Sequence, residues 1–285
     1  MTAWAVIGGS RAYDLLREGG VTGERIDPVV TPFGLSQPVF RCRTENAEFL
    51  FLSRHGEHGY QITASAVNYR ANIYALKALG TERIIAWSGP GGIAPDLEAG
   101  AFFLPDDLLD QTRRPATFFT HGRYGFIRQN PVFCPDLRRR LAAVLARQGL
   151  PHRATGTYVC TEGPRLETPA EIRHFAAAGA DAVGMTLAPE CFLARELEMC
   201  YAPLCYISNR AEAADRPDFQ AGVLFEGLLS EEEHHRVEAA VRQLLELVAA
   251  VLQEDEAGDC SCRRSMERYR RRGDLPPAWQ RWVEP

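Results

Sequence analysis

Short segments rich in Val, Ile, Leu and Phe alternate with helical patterns along most of this 285-residue chain, and that alternation restricts the fold more than any other feature. The predicted strands are Ala3–Ile7, Glu48–Ser53, Arg83–Ser88, Ala101–Leu104, Gly156–Cys160, Ala180–Met185 and Ala202–Ser208. They are short and apolar, as buried strands are. Helical patterns fall between them at Asn68–Leu79, Pro135–Gln148, Pro169–Ala178 and Pro189–Cys200. Two helix starts carry capping boxes, Thr168-Pro-Ala-Glu171 and Ser230-Glu-Glu-Glu233, the first with proline at the first helical position. The second box opens a long predicted helix with Val237, Val241, Leu244, Leu245, Val248 and Leu252 on one face. The expectation is an α/β domain with a mainly parallel or mixed sheet.

Charge and apolarity remove several classes of function. A net charge of −5 offers no basic groove for nucleic acid, and no apolar run is long enough to span a bilayer. The first residues lack a basic n-region and a cleavage signature, so a cytoplasmic protein is expected. Of the eight cysteines, six sit in or beside apolar stretches and read as small hydrophobes. Cys260-Ser-Cys262 stands apart. A lone C-x-C lacks the second pair that a zinc site requires, so free or disulfide-bonded thiols are expected there and no metal. The acidic residues 254–259 mark the end of a domain spanning 1–253. The tail 254–285 is locally basic through Arg263, Arg264, Arg268, Arg270, Arg271 and Arg272, and reads as a surface appendage packing on a neighbouring subunit.

Polar clusters follow the carboxyl ends of five predicted strands. They are Gly8-Gly9-Ser10, Arg54-His55-Gly56, Ser88-Gly-Pro-Gly-Gly92, Met185-Thr186 and Asn209. Ligands of open α/β sheets bind at that edge, so the five clusters converge on one site. Their chemistry suits an anion. The glycines let backbone N–H groups approach closely, Ser10, Ser88 and Thr186 add hydroxyls, and Arg54 supplies a planar fork. Gly8-Gly9 is not a dinucleotide fingerprint, because Arg11 and Ala12 break the glycine spacing. Glu167, just before the Thr168 cap, lies in a loop entering a helix, where a carboxylate can accept N–H donors from a ligand.

At these residues the chain resembles the trimeric nucleoside phosphorylase family, which includes purine nucleoside and methylthioadenosine phosphorylases. The matching segments are VIGGS (6–10), TPFG (31–34), RHG (54–56), VNYRANIYALKALG (67–80), GTYVCTEGPRLET (156–168) and GADAVGMTLAPECFLARELEMCYA (179–202). The resemblance implies a single α/β domain whose twisted mixed β-sheet is flanked by helices. It also implies a homotrimer or a dimer of trimers, no metal or other cofactor, and inorganic phosphate as co-substrate. By position, Ser10, Arg54, His55, Ser88, Gly89 and Thr186 would hold phosphate. Met185 would lie under the ribose, Leu166 against the base, and Glu167 and Asn209 would read the purine, with Asn209, Glu167 and His55 as the catalytic set.

The resemblance also bears on substrate class. Adenine-specific members carry an aspartate at the place of Asn209 and another two residues on, whereas this chain reads Ile207-Ser-Asn-Arg-Ala211. A carboxylate at Glu167 accepts from the protonated N1 of hypoxanthine or guanine but meets the lone pair of adenine N1 as like against like. Reversible phosphorolysis of inosine or guanosine is therefore expected. The alternatives are methylthioadenosine or methylthioinosine as substrate, or a nucleoside-binding homologue without catalysis. His234 would meet a 5′-hydroxyl, or else stand exposed with His235 in a first helical turn. Departures from the family pattern are Arg11, a displaced His58, and the loop 210–222.

Overall fold

The computed structural model describes residues 3–9, 22–44, 47–57, 60–120, 124–212, 221–224, 229–254, 258 and 260–283. In chain order the strands are β1 (Trp4–Gly8), β2 (Thr22–Ile26), β3 (Val30–Thr31), β4 (Gly34–Leu35), β5 (Val39–Arg43), β6 (Glu48–Ser53), β7 (Arg83–Ser88) and β8 (Gly91–Gly92). They continue with β9 (Phe102–Phe103), β10 (Asp107–Asp110), β11 (His152–Arg153), β12 (Thr157–Cys160), β13 (Ala182–Gly184), β14 (Cys200–Tyr206) and β15 (Asn209–Arg210). The α-helices of the described residues are α1 (Tyr69–Ala78), α2 (Pro135–Arg147), α3 (Pro169–Ala177), α4 (Leu187–Glu196), α5 (Glu231–Arg242), α6 (Leu244–Gln253) and α7 (Glu267–Arg271).

Eight strands form the main sheet in the order β11-β9-β14-β7-β1-β6-β5-β2, and five form a second in the order β10-β12-β13-β8-β15. The centre of the main sheet, β14-β7-β1-β6, is parallel, while β5, β2 and β9 join it antiparallel. The fold is thus the expected mixed α/β arrangement. Its central strands are apolar on both faces, and the two-residue strand period divides them. Ala5, Ile7, Leu50, Leu52, Ile84 and Ala86 face one core, which α1 and α4 cover. Trp4, Val6, Phe49, Phe51, Ile85 and Trp87 face the other, which α2, α5 and α6 cover.

Three differences from the sequence reading have local causes. The long helix expected after Ser230 is divided at Gln243 into α5 and α6, and both halves still bury their apolar stripe. The antiparallel ribbon β2–β5 has no counterpart among the predicted strands, because Arg25, Arg41 and Arg43 give it a polar, edge-like composition. The tail is not an appendage. Met266, Tyr269, Trp282 and Val283 are buried in the first core, and Cys260 and Cys262 in the second, all against their own chain. Four of its arginines are paired as well, Arg263 with Glu82, Arg270 with Glu198, Arg271 with Glu267 and Arg272 with Asp274. Both predicted capping boxes form, each contributing about 1 kcal/mol to its helix.

Candidate active site

Because β14, β7, β1 and β6 run parallel, the residues that follow them meet at one edge of the sheet. A cavity of about 590 Å³ opens there, lined by Gly9, Arg54, His55, Ser88, Gly89, Leu166, Glu167, Met185, Thr186 and Asn209. These are all of the expected site residues except two. Ser10 falls outside the described residues. His234 is exposed on the first turn of α5 and does not line the cavity.

One end of the cavity is buried and rich in donors. The hydroxyls of Ser88 and Thr186 lie 3.4 Å apart, and that of Ser88 is 3.3 Å from Tyr158. Thr186 is the N-cap residue of α4, yet its hydroxyl makes no capping bond and stays available. Backbone at Gly184 passes directly over the Tyr158 hydroxyl, where any side chain would collide with it. Gly89 is equally tight, since a Cβ there would come within 2.8 Å of the Tyr206 ring.

Arg54 behaves differently from the free fork expected of it. Its side chain is buried, and it donates from Nε and Nη2 to the two oxygens of Glu190, at 2.7 and 3.1 Å. Nη1 donates to the carbonyl of Trp87 at 2.9 Å and Nη2 to that of Ile7 at 3.4 Å. Of five N–H donors, one on Nη1 remains for a ligand. Burial opposes the charge, but Glu190 outweighs it and holds the guanidinium above its ordinary pKa. Tyr201 donates to the same Glu190 at 2.8 Å.

His55 is neutral here. Burial, then the charge of Arg54, lowers its pKa to about 4. Its Nδ1 lies 2.8 Å from the carbonyl of Ile62, which can only accept, so the proton sits on Nδ1 and Nε2 carries a lone pair. Tyr60 stacks on the ring at 4.2 Å.

The other end is more open. Thr161 donates to Glu167 Oε1 at 2.5 Å, which leaves Oε2 without a partner among the described residues. The Asn209 amide is oriented at both atoms. Ser208 donates to its Oδ1 at 2.7 Å, and its Nδ2 donates to the carbonyl of Arg210 at 2.8 Å, leaving one Nδ2–H for a ligand. Met185 is seated against Gly163, which adopts φ 63° and has no room for a side chain. Leu166 is 39% exposed.

Several of the residues that shape this site were not singled out from the sequence. Arg114 is the most connected. Its Nη1 donates to Tyr69 Oη and to the carbonyls of Met185 and Ala188, and its Nη2 to those of Thr161 and Glu162. One buried guanidinium thereby joins the Met185 turn to the loop carrying Glu167. It sits in a polar stretch, Gln111-Thr-Arg-Arg-Pro115, with no local signal. Glu190 lies inside the segment that carried the resemblance, but only the fold reveals its pairing with Arg54, 136 residues away.

Residues 11–253 match the Phosphorylase superfamily, and the chain belongs to that family. It is 43% identical over 215 residues to the 6-oxopurine nucleoside phosphorylase of Pyrococcus furiosus, covering 73% of this chain and 79% of that protein. It is 41% identical over 207 residues to a probable S-methyl-5′-thioinosine phosphorylase of Methanocaldococcus jannaschii, covering 72% and 78%. Among solved structures, a methylthioadenosine phosphorylase from an Antarctic soil metagenomic library superposes with a TM-score of 0.78 at 28% identity, covering 93% of this chain and 90% of that one.

Proposed function

We propose that this protein catalyses the reversible phosphorolysis of 6-oxopurine nucleosides, inosine or guanosine, to the free base and ribose 1-phosphate. The observation that carries the reading is a single cavity with two differently equipped ends. Ser88, Thr186, Arg54 and His55 suit an oxyanion, while Glu167 and Asn209 are pre-oriented for a purine that donates at N1 and accepts at N7. The similarity to 6-oxopurine nucleoside phosphorylases supports the same base class.

Hydrogen phosphate would enter at the buried end. It would accept from the Ser88 and Thr186 hydroxyls, the Gly89 N–H and the remaining Nη1–H of Arg54, and its own P–OH would donate to His55 Nε2. Ser10 belongs to this set by resemblance alone. The nucleoside would lie with its ribose over Met185 and its base between Leu166 and the Glu167–Asn209 pair. As the C1′–N9 bond lengthens, positive charge develops on the sugar and negative charge on the purine. Phosphate stabilises the first and captures C1′. Asn209 donates to N7 against the second, and Glu167 holds N1–H. The bond to N9 breaks, the bond from phosphate oxygen to C1′ forms, and the proton that hydrogen phosphate carried ends on the base. Positioning and preorganised dipoles supply the acceleration, with no covalent enzyme intermediate.

Purified protein incubated with inosine should release hypoxanthine only when phosphate is present. No release, or release independent of phosphate, overturns the reading.

A second reading keeps the base and changes the 5′ group. His234 does not line the cavity, whereas the apolar Leu224 does, which supports a 5′-methylthio substituent such as that of methylthioinosine. A higher kcat/KM for methylthioinosine than for inosine selects it. We also propose a cytoplasmic homotrimer. The exposed apolar side chains Val30, Leu35 and Phe126 support self-association, and eight free thiols suit a reducing compartment. Sedimentation equilibrium tests the assembly.

A further inference from the structure

The lone Cys-x-Cys of the tail finds its second pair in the fold. Cys134 is the N-cap residue of α2, Cys200 begins β14, and Cys260 and Cys262 flank Ser261 in the tail. All four are buried, and their Sγ atoms lie within 4.8 Å of one another. The approach of Cys200 to Cys260 is 3.2 Å, and all four are free thiols. Three segments distant in sequence thus deliver four sulfurs to one point.

We propose that Cys134, Cys200, Cys260 and Cys262 form a structural tetrathiolate site for zinc, which staples the C-terminal tail to the sheet. Four thiolates at about 2.3 Å from a tetrahedral ion stand roughly 3.8 Å from one another, within the spread seen here. A disulfide would draw two sulfurs to about 2.05 Å and would not account for the convergence of all four. Thiols serving only as small hydrophobes have no reason to meet, and the remaining buried cysteines, Cys42, Cys160, Cys191 and Cys205, stand outside the cluster. One position favours anionic sulfur, because Cys134 sits at the N-terminus of a 13-residue helix without making a side-chain capping bond.

The site is separate from catalysis. Cys200 begins β14, whereas Tyr206, at the other end of that strand, lines the active-site cavity, a span of about 20 Å at 3.3 Å per residue. Binding exchanges four thiol protons for one divalent cation and leaves a dianionic centre. What it gains is attachment of the tail, whose Met266, Tyr269 and Trp282 complete the core on the opposite face of the sheet.

The test is elemental analysis of the full-length protein, expressed with zinc in the medium and purified under reducing conditions, together with a thiol count and intact mass. The expected result is one zinc per chain, released in step with the titration of four thiols by a mercurial. Cobalt exchange should give the charge-transfer and d–d absorption of a tetrahedral tetrathiolate. Cys260→Ser should lose the metal and lower Tm while inosine turnover at low temperature persists, and Cys42→Ala should retain the metal. A metal-free protein with eight reactive thiols after unfolding overturns the proposal. So does an intact mass 4 Da low that reduction restores, because it would mean two disulfides at the same place.

Discussion

The two ends of the cavity differ in burial more than in polarity. At the anion end, Arg54, His55, Ser88 and Thr186 are between 1% and 7% exposed, and each is held by the core strands or by a charge partner. At the base end, Glu167 and Asn209 are half-buried and Leu166 is 39% exposed, with Leu166 and Glu167 on the loop before α3 and Asn209 on the two-residue edge strand β15. On the proposed function, phosphate handling rests on buried groups, where a change disturbs the fold, and base recognition rests on a loop and a sheet edge, where a change disturbs mainly selectivity.

Mutations can separate the two ends. The largest effect is expected for Glu190→Ala. It leaves the Arg54 guanidinium buried without its counter-ion and should cost about 3–5 kcal/mol in urea unfolding, along with most activity. A Glu190→Ala protein of wild-type stability would remove the contrast between the two ends. Next is the acid dependence of stability. His55 has a folded pKa of about 4 against 6.5 for the free side chain. The unfolded chain therefore takes up its proton first as pH falls below 6.5, and the contribution, complete above that pH, is lost on the way to 4. The loss at pH 4 is about 3 kcal/mol. The drop in unfolding free energy between pH 7 and pH 4 should be smaller by that amount in His55→Gln.

At the base end, Glu167→Ala should lower kcat/KM for inosine by about 10- to 100-fold, as expected for a lost hydrogen bond to a charged acceptor. Its Tm should stay close to wild type, and turnover of adenosine should fall far less. Equal losses with both nucleosides would show that Glu167 does not read N1. The smallest effect is expected for Leu166→Ala, a partly exposed side chain. Its KM should rise by a few fold, with stability within about 0.5 kcal/mol. A large Tm decrease would place Leu166 in the core and blur the comparison.

The parts of the site that were legible in sequence are those whose function depends on local geometry. Gly8-Gly9, Ser88-Gly89 and Met185-Thr186 stand at or just past the ends of apolar strands, so recognising the strands located the edge where the cavity opens. Thr168 and Ser230 announced their helices through contacts three residues away. Arg54 was legible as a cavity residue but not as a paired one, because its counter-ion Glu190 comes from a helix on the far side of the chain's course. Arg114 was not legible at all, since six hydrogen bonds from one guanidinium leave no mark on its neighbours in sequence. His234 had the right residue type and spacing, and the fold leaves it exposed.

By itself, the sequence determined the α/β class and the strand ends at which the cavity opens, and under the proposed function it supplies the Glu167–Asn209 pair for a 6-oxopurine. These follow from periodicity, from helix caps and from side-chain chemistry, which act over a few residues. Only the tertiary structure decided that Arg54 spends most of its donors on Glu190, that the tail completes the core of its own chain, and that Cys134 and Cys200 meet Cys260 and Cys262. The physical reason is range. Local conformation is set by neighbours along the backbone, whereas ion pairs, core packing and sulfur clusters join side chains separated by 60 to 136 residues, and sheet order alone brings them together.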